Sequence, residues 1–126
     1  MGKAYLIDTN TLLDCLAGSL PAEAHAFVEG VINNDFNVSV INRIEVLGHE
    51  SATQELTDFM NLSNTHQLIQ DVEEQTIYLR KQKKIKLPDA IIAATALVHG
   101  FTILTRNTKD FQHIDGLDCI NPHELS

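Results

Sequence analysis

The chain has 126 residues, 44% hydrophobic and 21% charged, with a mean hydropathy of −0.06. These values describe one globular domain over 1–126 and exclude disordered, collagen-like and coiled-coil classes. Nine Lys and Arg stand against 17 Asp and Glu, a net charge of −8, which as a bulk property repels phosphate and argues against a nucleic-acid partner.

The predicted elements alternate. Ala4 to Ile7 is a short apolar run ending at Asp8, a buried strand. Thr9 to Ala17 carries Leu12, Leu13 and Leu16 at helical spacing and stops at Gly18. Pro21 to Asn33 is an amphipathic helix, followed by a turn at Asn33-Asn34-Asp35. Val38 to Ile41 is a second strand, then a short helix holds Ile44 to Leu47 and closes at Gly48. A helix opens at Ser51 with Leu56, Phe59 and Met60 inward, and Gln67 to Gln70 is a third strand. Asp71 starts a helix through Lys84, and Leu87 to His99 is a helix with almost no polar face, ended by Gly100. Phe101 to Thr105 and Leu117 to Ile120 complete the strands. Strands alternating with helices imply an α/β domain whose mostly parallel sheet has four to five strands. Cys15 and Cys119 form no C-x-x-C pair and read as reduced thiols. With no secretory h-region and no apolar run of about 18 residues, the expectation is a cytoplasmic protein without membrane contact.

In parallel sheets, ligands bind outside the carboxyl ends of the strands. Four carboxylates belong there: Asp8 after the first strand, Glu45 after the second, Asp89 in the first turn of the apolar helix, and Asp110 after the fourth strand. Each has a structural explanation as cap, surface or turn residue. Together they raise one another's pKa unless a cation offsets them. An oxygen-only set suits Mg²⁺ or Mn²⁺, and such ions activate water against a phosphodiester.

Tyr5-Leu6-Ile7-Asp8-Thr9-Asn10, the Glu45 helix, Leu87 to Ala96 around Asp89, and Leu104 to Phe111 around Asp110 resemble, in that order, the motifs of the PIN domain family, and within it the VapC-type ribonuclease toxins. The resemblance implies a three-layer α/β/α fold and a metal-dependent endoribonuclease. It carries the acidic quartet onto Asp8, Glu45, Asp89 and Asp110, with Asp115 as a distant alternative to Asp110. It carries the supporting polar residues onto Thr9, Asn10, Thr105 and Asn107. One or two Mg²⁺ or Mn²⁺ ions stay open. It also implies an RNA substrate, a cognate antitoxin and a homodimer, for which segments 21–33 and 51–62 offer apolar surface. A catalytically weak binding module and a DNA-directed nuclease are the alternatives. Neutralising Asp8 or Asp89 to Asn is expected to abolish cleavage and leave the thermal midpoint unchanged or raised.

Five of the nine cations, Arg80, Lys81, Lys83, Lys84 and Lys86, stand in seven residues just before Asp89. They complement a helix C-terminus, and beside the site they also fit an RNA backbone, with Arg43, Arg106 and Lys109 extending the strip. The six histidines show no metal spacing, and serine-hydrolase, Walker A and dinucleotide motifs are missing from the sequence. The bulk charge of −8 therefore leaves room for a metal-charged pocket with one basic approach.

Overall fold

The computed structural model describes residues 3–125. In chain order the elements are β1 (Tyr5–Ile7), α1 (Thr9–Ala17), α2 (Ala22–Asn34), β2 (Asn37–Ser39), α3 (Val40–Leu47), α4 (Gln54–Met60), β3 (Asn64–His66), α5 (Gln70–Gln82), α6 (Leu87–His99), β4 (Thr102–Leu104) and β5 (Cys119–Ile120). Short 3-10 turns cover Thr108–Asp110 and Pro122–Glu124. The strands pair in parallel as a three-stranded sheet with β4 between β1 and β5, and as a separate two-stranded sheet of β2 and β3, rather than as one continuous sheet. β1 also lies against β2. Ile7 is in register with Leu104, and Ser39 with His66.

Successive side chains of a strand point to opposite faces, and this divides the core in two. Leu6 and Ile103 pack with Val72 and Leu79 of α5 and Ile91 and Ile92 of α6. Ile7 and Leu104 pack on the other face with Leu12, Val38, Val46 and Met60 of α1, β2, α3 and α4. The sheet is therefore covered on both faces, the three-layer arrangement a parallel sheet requires. A satellite cluster of Cys15, Leu20, Ala24 and Val28 joins α1 to α2. Ala24 and Val28 of segment 21–33 are thus consumed within the chain, as is Met60 of segment 51–62. Among the described residues no helix is long and apolar enough to cross a membrane.

Several boundaries differ from the sequence reading, each for a local reason. The second strand stops at Ser39, not Ile41. Ser39 Oγ accepts from the Asn42 N–H at 3.2 Å and Asn42 Oδ1 accepts from the Ser39 N–H at 3.1 Å, a capping box that turns apolar Val40 and Ile41 into the first turn of α3. The third strand lies at Asn64–His66, not Gln67–Gln70. It is a polar edge strand, tied by Asn64 Nδ2 to Asp35 Oδ1 at 3.1 Å, and carries no apolar signal. α4 begins at Gln54 because Thr53, not Ser51, caps it. α5 ends at Gln82, and Lys83 is extended. α6 matches its expected span, Leu87–His99.

Candidate functional site

The site forms where β1 and β4 end. The Asp8 N–H donates to the Leu104 carbonyl at 2.9 Å, which sets Asp8 beside Thr105 at the carboxyl edge of the sheet. Asp8 is 8% exposed, and its carboxylate accepts from four donors. Oδ1 accepts from the Thr9 N–H at 2.9 Å and from Asn42 Nδ2 at 3.0 Å. Oδ2 accepts from the Thr105 hydroxyl at 2.8 Å and from Asn10 Nδ2 at 3.3 Å. Asp8 is thus also the N-cap of α1, so its structural and functional roles coincide.

Around it runs a connected polar network. Asn10 Nδ2 reaches Thr105 Oγ1 at 3.2 Å, and the Asn107 N–H donates to the same oxygen at 3.1 Å. Thr9 Oγ1 donates to Glu45 Oε1 at 2.7 Å and accepts from Asn42 Nδ2 at 3.1 Å. Such a network fixes rotamers before any ligand arrives. Asn42 was not singled out from the sequence, yet it is fully buried and bridges Asp8, Thr9 and Ser39. Its signal was the Ser39-x-x-Asn42 spacing of a capping box.

Asp89 enters from the N-terminus of α6, which runs back along the sheet before β4. Burial, then the fields of Asp110, Asp8 and Glu45, push its carboxyl above the ordinary 3.8, and Lys86 partly offsets them. The other three carboxylates therefore lie close enough to act on Asp89. Asp115 instead faces a separate hollow with Gln75 and Tyr78.

Two concavities meet at Asp89. A cavity of about 310 Å³ is lined by Asp8, Thr9, Asn10, Asp14, Glu45, Asp89, Arg106 and Asn107, with apolar Leu13 and Ile92. A groove of about 540 Å³ joins Asp89 and Asp110 to Lys83, Lys84, Lys86, Lys109 and His113. Lys83, Lys84 and Lys86 of the run, with Lys109, thus border the acidic site. Arg80 and Lys81 stay exposed on the last turn of α5. Arg43 is turned away, its Nη2 donating to Asn61 Oδ1 at 2.7 Å. The Arg106 guanidinium pairs with Asp14 at 3.0 Å.

The donors fit a hard divalent cation: they are oxygens only, and their mutual repulsion calls for positive charge. Among the described residues no three acidic, His or Cys side chains stand close enough to close around one ion. One or two direct carboxylates completed by water is the coordination Mg²⁺ prefers, so the set suits a hydrated ion rather than a closed cage.

A doubly covered parallel sheet with carboxylates converging on its carboxyl edge defines an acidic-site α/β protein. Residues 5–117 match the family model of the PIN domain, and the chain belongs to that family. Over 32 residues, 25% of this chain and 24% of the relative, it is 53% identical to ribonuclease VapC1 of Rickettsia felis. Over 42 residues, 33% of this chain and 29% of the relative, it is 52% identical to the VapC ribonuclease Y4jK of Sinorhizobium fredii. Both matches thus span under a third of the curated relatives' length. A toxin–antitoxin complex from Klebsiella pneumoniae contains a chain of the same fold, with a TM-score of 0.77 and 32% identity over 96% of this chain and 99% of that one.

Proposed function

We propose that this chain, as one nuclease domain, is a divalent-metal-dependent endoribonuclease and the toxin of a toxin–antitoxin pair acting in the cytoplasm. The observation that carries the reading is the convergence of Asp8, Glu45 and Asp89 on one cavity, with Asp110 in the groove that shares Asp89 with it. The names of the VapC relatives and the toxin–antitoxin complex support the activity and the protein partner.

Asp8 and Asp89 would hold the ion, Mg²⁺ or Mn²⁺, with Glu45 binding directly or through water. When bound there, the ion would supply positive charge at the scissile phosphate and lower the pKa of the attacking water. Asp110 orients that water or holds a second ion. Thr9, Asn10, Thr105 and Asn107 keep the carboxylates in their rotamers, a role in which outer partners matter nearly as much as ligands. The groove of Lys83, Lys84, Lys86 and Lys109 takes the RNA backbone. The exposed apolar side chains Leu13 and Leu16 on α1 and Ile44 on α3 offer anchors to an antitoxin that covers the site. The PIN-family reading also carries a homodimer.

The test is cleavage of RNA and DNA oligonucleotides by the full chain with Mg²⁺ or with EDTA. RNA cleavage requiring Mg²⁺ and lost in Asp89→Asn is expected. Full activity of Asp89→Asn with Mg²⁺ overturns the site. Cleavage of DNA in preference to RNA overturns the substrate, and metal-supported binding without cleavage identifies a binding module.

A further inference from the structure

The 310 Å³ cavity poses an electrostatic problem for its own proposed chemistry. Arg106 is the one cation lining it among the described residues, beside Asp8, Glu45 and Asp89. A long cationic side chain next to clustered carboxylates is drawn onto them, where a guanidinium forks readily onto a carboxylate. There it would occupy the oxygens that a divalent ion needs. In this structure it is elsewhere. Its Nη1 donates to Asp14 Oδ2 at 3.0 Å. Its backbone N–H is pinned to Asn10 Oδ1 at 2.9 Å.

Asp14 is itself fixed from a second direction. His123 Nε2 lies 3.0 Å from the same Oδ2. An ionised carboxylate only accepts, so Nε2 carries the hydrogen. His123 stands in the Pro122–Glu124 turn, where Asn121 Oδ1 accepts its backbone N–H at 3.0 Å. The Asp14 side chain is 18% exposed, whereas that of Arg106 is 52% exposed, so a rooted anchor holds a solvent-reaching cation.

We propose that Asp14 is a positioning residue that parks the Arg106 guanidinium on the cavity wall, away from the metal-binding carboxylates and in reach of an RNA phosphate. The inference rests on the metal-dependent ribonuclease reading above. Only Nη1 of the guanidinium is engaged by Asp14. The remaining donors of the fork stay available to phosphate. His123 braces the anchor, which links the C-terminal turn to the site.

A double-mutant cycle on the full chain tests this, read by calorimetric titration of Mn²⁺ and by KM for an RNA oligonucleotide. Asp14→Asn is expected to weaken Mn²⁺ binding about fivefold, a coupling typical of residues in one network. Arg106→Ala in the Asp14→Asn background should restore Mn²⁺ affinity. Arg106→Ala alone should leave Mn²⁺ binding intact and raise KM more than it lowers kcat. Asp14→Glu, which keeps the charge, should recover most of the loss. Equal weakening of Mn²⁺ binding by Asp14→Asn with and without Arg106 overturns the proposal, as does unchanged binding. Wild-type Mn²⁺ binding without RNA cleavage makes the ribonuclease reading fail, while the metal arm of the cycle still decides the role of Asp14. A wild type that binds no Mn²⁺ overturns both.

Discussion

Asp8 and Asp89 look equivalent as sequence motifs but sit in opposite environments. Asp8 receives four hydrogen bonds, and each donor is satisfied only by an acceptor. Asparagine there turns an amide donor toward other donors. Asp8→Asn should therefore lower stability by about 1–3 kcal/mol, the usual cost of unmatched buried polar groups. For Asp8→Asn this replaces the expectation of an unchanged or raised midpoint. Asp89 behaves the other way. Its pKa is raised by burial and by Asp110, so folding favours its protonated form. The stability this contributes is present below the ordinary 3.8 and is lost as pH rises through the folded value. At neutral pH the charged carboxylate is a standing cost that Asp89→Asn removes. Melts in EDTA should show Asp89→Asn above the wild type at neutral pH, with no gain in acid below that ordinary value. A lowered midpoint at neutral pH contradicts the repulsion.

At the scale of elements, termini decide what reaches the site. α6 was legible because its apolar character is unbroken and Gly100 closes it in the left-handed conformation, φ 75°. No atom lies within 4 Å of an added Cβ there, so the cost of substitution is conformational alone. Gly100→Ala should cost about 1 kcal/mol in chemical denaturation and leave RNA cleavage unchanged. A loss of activity at equal folding would mean that α6 shifts Asp89. α3 was legible only in part. Val40 and Ile41 read as strand by propensity, but the Ser39–Asn42 box overrides it and puts Asn42 under Asp8. β3 was misplaced because Asn64, Thr65 and His66 have no hydrophobic alternation. Their pairing to β2 is a tertiary fact.

At the scale of the whole molecule, the net charge of −8 conceals a separation of charge. Carboxylates line one cavity and lysines line the groove that shares Asp89 with it. Replacing Lys83, Lys84 and Lys86 by Ala should weaken RNA binding and lower the slope of log affinity against log salt by about 2, as for lost single-strand phosphate contacts. An unchanged slope removes the groove from the RNA path. The cations were visible in sequence as one run. The end of α5 at Gln82 divides them, leaving Arg80 and Lys81 on the helix and the other three in the link before Asp89.

The sequence by itself determined the alternation of strands and helices, the buried helix and the four acids, because periodicity and strand-end position are local properties. Tertiary structure decided the rest. Asn42, Asp14 and His123 become partners of the site through contacts between distant segments, with Asn42 meeting Asp8 and His123 meeting Asp14. Arg43, adjacent to Asn42 in the chain, is lost to Asn61 at the end of α4. One step along a helix turns a side chain by about 100°, and only the packed fold says which of two neighbours faces the acids.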